Sequence, residues 1–102
     1  MYNDDQLIEL AKKGYESVEP CRYHIETCNG KCCFLGAVCL GLGQEQSTQT
    51  IAKLGFSSKW IQAATLGFDC LQGDEKPLPG WSGEQIQGFA LGVRAKREFL
   101  CV

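Results

Sequence analysis

The sequence predicts an all-α fold: one domain of about five helices over residues 1–102, with either a short hairpin or a loop at residues 21–31. Three observations carry this. Capping signatures stand at the start of several segments, apolar residues recur at helical spacing, and glycines sit inside the two segments that read as the main helices. A chain of 102 residues holds one hydrophobic core and has no room for a second.

The first helix is expected over about residues 4–13. Asn3 caps it, Gln6 completes a capping box, and Leu7, Leu10 and Ala11 form an apolar stripe beside Ile8. Lys12 and Lys13 suit the last turn, and Gly14 suits a left-handed position after it. Pro20 closes the connection that follows. Over residues 21–31, Tyr23, Ile25 and Thr27 alternate with Arg22, His24 and Glu26, and Asn29-Gly30 is a strong turn signal. A loop leading into the next helix is favoured over a hairpin, because the alternation stops at Cys32.

Residues 32–43 hold the most apolar run in the chain and read as a central, buried helix. An interior glycine costs a helix about 1 kcal/mol relative to alanine, so Gly36 and Gly41 imply that another backbone comes close. Cys33, Ala37 and Gly41 line one narrow face. Two short helices follow, over about residues 48–54 and 58–66, each opened by a serine cap and closed by Leu-Gly-Phe. Gly55 and Gly67 are expected as left-handed caps, with Phe56 and Phe68 folding back behind them.

Residues 69–81 form the longest loop. Ser82 and Gln85 then make a second capping box, with Trp81 and Ile86 as its hydrophobic staple. The last helix runs to about residue 100, with Ile86, Phe89, Ala90, Val93 and Leu100 expected to face inward. Gly88 and Gly92 permit a close approach, and the helix at residues 32–43 is its natural partner. Trp81 is expected to be at least half buried.

Composition narrows the function. Net charge is −2, which gives no electrostatic footprint for nucleic acid. No run of eighteen apolar residues exists, so no membrane span is expected. The opening residues lack the apolar stretch of a secretory signal, and a cytoplasmic location is expected. In a reducing compartment, seven cysteines read as thiols or metal ligands rather than as a disulfide framework. Cys33 and Cys39 are expected to be buried, and Cys21, Cys28 and Cys101 accessible.

Five cysteines and the only histidine fall within residues 21–43. Cys21, His24, Cys28 and Cys32 (or Cys33) could supply the four ligands of tetrahedral zinc, with Asn29-Gly30 making the turn between them. The spacing lacks the C-x2-C knuckle, and the plainer reading makes the helical cysteines small apolar core residues. His24 could also serve as a base for Cys32 or Cys33 near a helix start, although one such pair is a sparse signature for catalysis. The acidic residues Asp69, Asp74 and Glu75 lack the ladder of a calcium loop. Arg94, Lys96 and Arg97 read as a solvated helix end. No phosphate-loop, nucleophile-elbow, zincin or dinucleotide motif is present.

At Cys33-x2-Gly36-Ala37, Leu54-Gly55-Phe56-Ser57 and Gly67-Phe68-Asp69, the chain resembles small uncharacterised phage and prophage helical proteins. Those share a C-x-L-G-A-type helix followed by short helices ending in Gly-Phe-Asp. The resemblance covers about residues 33–69, and residues 21–32 depart from it. It implies no enzyme activity and carries over no functional residues. By analogy, a small phage protein without an active site binds a host or defence protein.

The expectation is therefore a small cytoplasmic module that binds a protein partner, with self-association as a further option. It is read as a non-enzyme with no cofactor, no nucleic-acid partner and no membrane partner. The alternative is a zinc protein using the Cys/His set in residues 21–33.

Overall fold

A computed structural model of the chain describes residues 2–70 and 75–100. Gly73, Asp74 and Cys101, which entered the loop and thiol expectations, lie outside the described residues. The elements run α1 (Asp4–Gly14), β1 (Glu19–Pro20), β2 (Lys31–Cys32), α2 (Phe34–Leu42), α3 (Thr48–Lys53), α4 (Ser58–Asp69) and α5 (Gly83–Phe99). The fold is mainly helical. The all-α expectation is corrected by a small parallel sheet that pairs Glu19 with Lys31 and Pro20 with Cys32. Asn29-Gly30 does form a tight turn. Both residues have positive φ (54° and 76°), and Cys28 and Lys31 exchange backbone hydrogen bonds of 2.8 and 3.0 Å across it. The right-handed twist of a pair of strands favours a turn of this kind.

The caps form as the sequence implies. Asn3 with Gln6 and Ser82 with Gln85 complete capping boxes, and Ser47 and Ser57 accept from Thr50 and Trp60. Each satisfies backbone donors that the first helical turn leaves without partners.

Two helix pairs make up the body. α1 packs on α2, and α4 packs on α5. The expected partnership of the two glycine-bearing helices is thereby overturned. A Cβ on Gly41 would strike the Leu10 carbonyl, and one on Gly14 would strike the Ala37 carbonyl. Gly14 is therefore the last contact residue of α1 and not a left-handed cap. On the other side, a Cβ on Gly92 would meet Ala64, one on Gly88 would meet Trp60, and one on Gly67 would meet Phe89 and Val93. Gly67 thus lies within α4, which runs on to Asp69, and Phe68 is a core side chain. Gly55 does take positive φ (105°), as expected of a cap. Each glycine does permit a close approach, but to a sequence neighbour rather than a distant helix.

Phe34, the first residue of α2, ties the pairs together. Its ring stacks on Phe68 at 6.1 Å and on Phe99 at 6.4 Å, and Tyr15 lies 4.8 Å from Phe99. Offset aromatic pairs at such distances add to the burial of their surfaces. Cys32, Cys33 and Cys39 are buried in the same core, which bears out the reading of cysteine as a small apolar residue there. The staple of α5 is corrected. Ile86 and Ala90 face outward, and Trp81, half-buried, packs edge-on against Phe89 at 5.3 Å instead. No helix among the described residues is long and apolar enough to cross a membrane.

Candidate functional site, a pinned loop with an exposed tyrosine

Residues 21–27 have no regular structure, yet they are fastened at five points. Cys21 donates its backbone N–H to the Cys32 carbonyl at 3.0 Å, and Cys33 donates to the His24 carbonyl at 2.6 Å. The Thr27 N–H and hydroxyl both donate to Gln46 Oε1, at 2.9 and 3.0 Å. Gln46 donates onward to the Gly36 carbonyl at 3.5 Å. Gly36 lacks a Cβ where the Ile25 carbonyl presses on α2. The fifth tie is Tyr23, whose backbone N–H donates to Asp69 Oδ1 at 3.1 Å.

Tyr23 is unusual in two ways. Its φ is 75°, in a region where a bulky L side chain is rare and strained. Its ring is also 72% exposed. Asp69, at the end of α4, is only 8% exposed. Burial raises the Asp69 carboxyl above its usual range, and the Tyr23 N–H and the nearby Arg22 and His24 act against that rise. A buried carboxylate accepts desolvation where it gains charge-assisted hydrogen bonds. Here it holds a strained backbone that displays an aromatic ring to solvent.

Around Tyr23 lies a groove of about 370 Å³, lined also by Leu66, Asp69, Cys70, Lys76, Leu78 and Phe89. Leu66 is 43% exposed and Leu78 53%. Three exposed side chains, Tyr23, Leu66 and Leu78, thus border one depression together with the buried Phe89. Its floor is set by α4 and α5, whose close packing follows from Gly67, Gly88 and Gly92.

The basic end of α5 also departs from expectation. Arg94 and Arg97 are exposed, but Lys96 is 6% exposed and is not a solvated end. Its ammonium contacts Glu75 Oε2 at 3.0 Å, the Cys70 carbonyl at 3.2 Å and Cys70 Sγ at 3.5 Å. Arg97 adds a second cation to Glu75 at 3.4 Å. The hydrogen bond from Lys96, then its charge and that of Arg97, hold the Glu75 carboxyl below its usual range. The acidic group of the long loop is therefore structural where it is described. Asp69 clamps Tyr23, and Glu75 neutralises Lys96.

The residues of the zinc alternative are distributed unevenly. Cys28 and His24 are exposed, Cys21 is half-buried and Cys32 is fully buried. Cys33, on the next residue, caps α2 through its backbone only. Among the described residues, no group of three or more His, Cys, Asp or Glu side chains stands as metal ligands would. Burial pushes the Cys32 thiol up to about 12 and the Cys33 thiol up to about 11, with neighbouring thiols adding to the rise at Cys32. Cys21 also shifts upward, first through burial and then through Cys28. Burial thus favours the neutral form of these thiols, the reverse of what an activated nucleophile requires.

Sequence reasoning missed Tyr23, Asp69 and the Lys96–Glu75–Cys70 group. Positive φ at a tyrosine has no sequence signal, and contacts between a helix end and a distant loop have none either. Comparison of the chain with family models, curated proteins and solved structures found no match.

Proposed function

We propose that the protein is a small protein-binding module that docks its partner on the groove bordered by Tyr23, Leu66 and Leu78. The observation that carries this reading is Tyr23: an exposed aromatic ring held on a strained backbone by a buried carboxylate. Strain of this kind costs about 1–3 kcal/mol and persists where the surroundings over-determine it, often at binding sites. Tyrosine is also enriched among the residues that dominate protein interfaces. Exposed leucines beside it supply apolar area for a partner to cover. The neutral, buried thiols support a non-enzymatic reading over thiol catalysis. The resemblance to phage proteins, noted on residues 33–69, supports a host or defence protein as the partner.

The test is affinity capture from the native cells with wild type, Tyr23→Ser and Leu66→Glu, each checked for helical content by circular dichroism. One protein should co-purify with wild type and be lost, or reduced at least about tenfold, with both folded variants, as expected when an interface anchor is removed. Equal recovery of that protein by both variants overturns the assignment of the groove. Sedimentation of the wild type alone distinguishes a second copy of the chain from a foreign partner.

A further inference from the structure

We propose that the outward face of α5 docks a second copy of the chain, antiparallel, about a two-fold axis beside Ala90. This face lies opposite the side on which Gly88 and Gly92 meet α4. Gln87, Ala90, Arg94 and Arg97 recur along it at helical spacing, and all four are exposed. Ile86, 43% exposed, stands one turn before Ala90. Beside it is a depression of about 490 Å³, with Phe89, Ala90, Val93 and Arg94 among its walls. None of Ile86, Ala90, Arg94 and Arg97 lines the groove beside Tyr23, so this surface is separate from the partner site proposed above.

Shape and charge both match the face to itself. A two-fold interface uses one patch twice, so a projection and a recess must occur on it together. Ile86 is the projection, and the depression is the recess. Charge fixes the direction. Glu84 lies in the first turn of α5, and Arg94 and Arg97 lie toward its end. A parallel copy would set Arg94 against Arg94 and Arg97 against Arg97, and facing like charges oppose association. An antiparallel copy crossing at Ala90 sets Glu84, six residues before the axis, against Arg97, seven residues after it. Gln87, three before, then meets Arg94, four after. Each Ile86 is carried over Val93 and the apolar stem of Arg94 on the other copy. Ala90 meets itself, and a small side chain at the crossing lets the two axes come close.

The charged groups keep capacity for this second contact. Arg94 meets Asp5 at 2.7 Å and Arg97 meets Glu75 at 3.4 Å, each through Nη2, and a guanidinium has five N–H donors. Glu84 accepts from the Ser57 hydroxyl through Oε1, and a carboxylate accepts at both oxygens. One helix face buries less than a standard interface does, so the association is weak and depends on concentration.

Sedimentation equilibrium of the full chain from about 10 μM to about 1 mM covers weak association. Wild type should pass from monomer to dimer across that range, and a monomer throughout overturns the proposal. Ala90→Glu puts two like charges on the axis and should weaken the dimer at least about tenfold, with its helical content intact because residue 90 is exposed. A dimer that survives this change places self-association elsewhere and also overturns it. Charge reversal tests the direction. Glu84→Arg and Arg97→Glu should each weaken the dimer about three- to tenfold, since two pairs are reversed per dimer, and the double variant should regain most of that loss. A double variant no tighter than either single one refutes the antiparallel register. Should Arg97→Glu lose its helical signal, Arg94→Glu combined with Gln87→Arg takes its place. Tyr23→Ser should dimerise as wild type does; loss of the dimer there would assign self-association to the Tyr23 groove and overturn the assignment to α5.

Discussion

The contact between α4 and α5 can be probed with a single methyl group. In Gly92→Ala, an ideal Cβ would overlie the Ala64 carbonyl oxygen and stand 2.8 Å from the Phe68 nitrogen and 3.0 Å from the Ala64 carbonyl carbon. All three are backbone atoms of an intact helix, so none can rotate away as a side-chain tip would. The helices must separate, and the Gly67 and Gly88 contacts on the same crossing would open with them. Two effects compete. Alanine improves intrinsic helix stability by about 1 kcal/mol, and overpacking costs about 1–3 kcal/mol, sometimes more. The obstacle is rigid backbone, which places the cost at the upper end, so the net loss should be about 1–2 kcal/mol or greater. For a chain of this length that corresponds to a melting point lower by about 5–15 °C. Thermal unfolding followed by circular dichroism measures it. Gly83→Ala is the control: it lies in the first turn of α5 with nothing within 4 Å of its Cβ position, and should be neutral or stabilising by up to about 1 kcal/mol. If Gly92→Ala raises the melting point as Gly83→Ala does, the helices do not cross at this glycine.

Three other outcomes follow from the same structure. Tyr23→Gly should leave stability unchanged within about 1 kcal/mol or raise it, because glycine relieves the positive φ, while partner capture is lost; a large destabilisation in urea titration would show that the ring serves the fold instead. Acidification should weaken the Glu75–Lys96 contact. The folded carboxyl is held low, so its contribution is present above the ordinary carboxylate value and is lost as pH falls through the lower folded one, and Glu75→Gln should flatten the acid limb of a stability–pH curve. At alkaline pH the sign is reversed. Cys33 is raised to about 11 and Cys32 to about 12 from an ordinary value near 9, so their contribution is intact below pH 9 and lost as pH climbs through 11 to 12. Cys33→Ala should show a shallower alkaline decline than wild type, and an identical decline would contradict the buried-thiol account.

Local signals in the sequence carried well and long-range ones did not. The capping residues Asn3, Ser47, Ser57 and Ser82 each act on a backbone donor within three residues, so their chemistry is legible from spacing. The burial of residues 34–39 was legible for the same reason, since a run with no polar face has only the core to occupy. Helix partners were not legible. Gly41 and Gly92 announce a close contact without naming the other side, and an antiparallel neighbour in sequence satisfies the pattern as well as a distant helix does. Gly67 was misread because Leu-Gly-Phe fits both a helix end and a helix crossing. The structure decides for the crossing, with Phe89 and Val93 occupying the space a side chain would need.

The polar residues show the deeper limit. Asp69, Glu75 and Lys96 read as solvated charges, because a charged side chain is most often solvated and its exceptions depend on partners far along the chain. Asp69 is buried because Tyr23, forty-six residues earlier, needs an acceptor for a backbone N–H in a strained turn. Lys96 is buried because Glu75 and Cys70 converge on it from the loop and the end of α4. Both clusters meet the end of α4, where Asp69 and Cys70 line the groove beside Tyr23. The chain therefore places its costly features in one region: a positive-φ tyrosine, a desolvated carboxylate and a buried ammonium beside a thiol. Elsewhere, capping, packing and turn chemistry agree with one another. A fold that is locally consistent except around one groove concentrates its compromises where a partner would meet it.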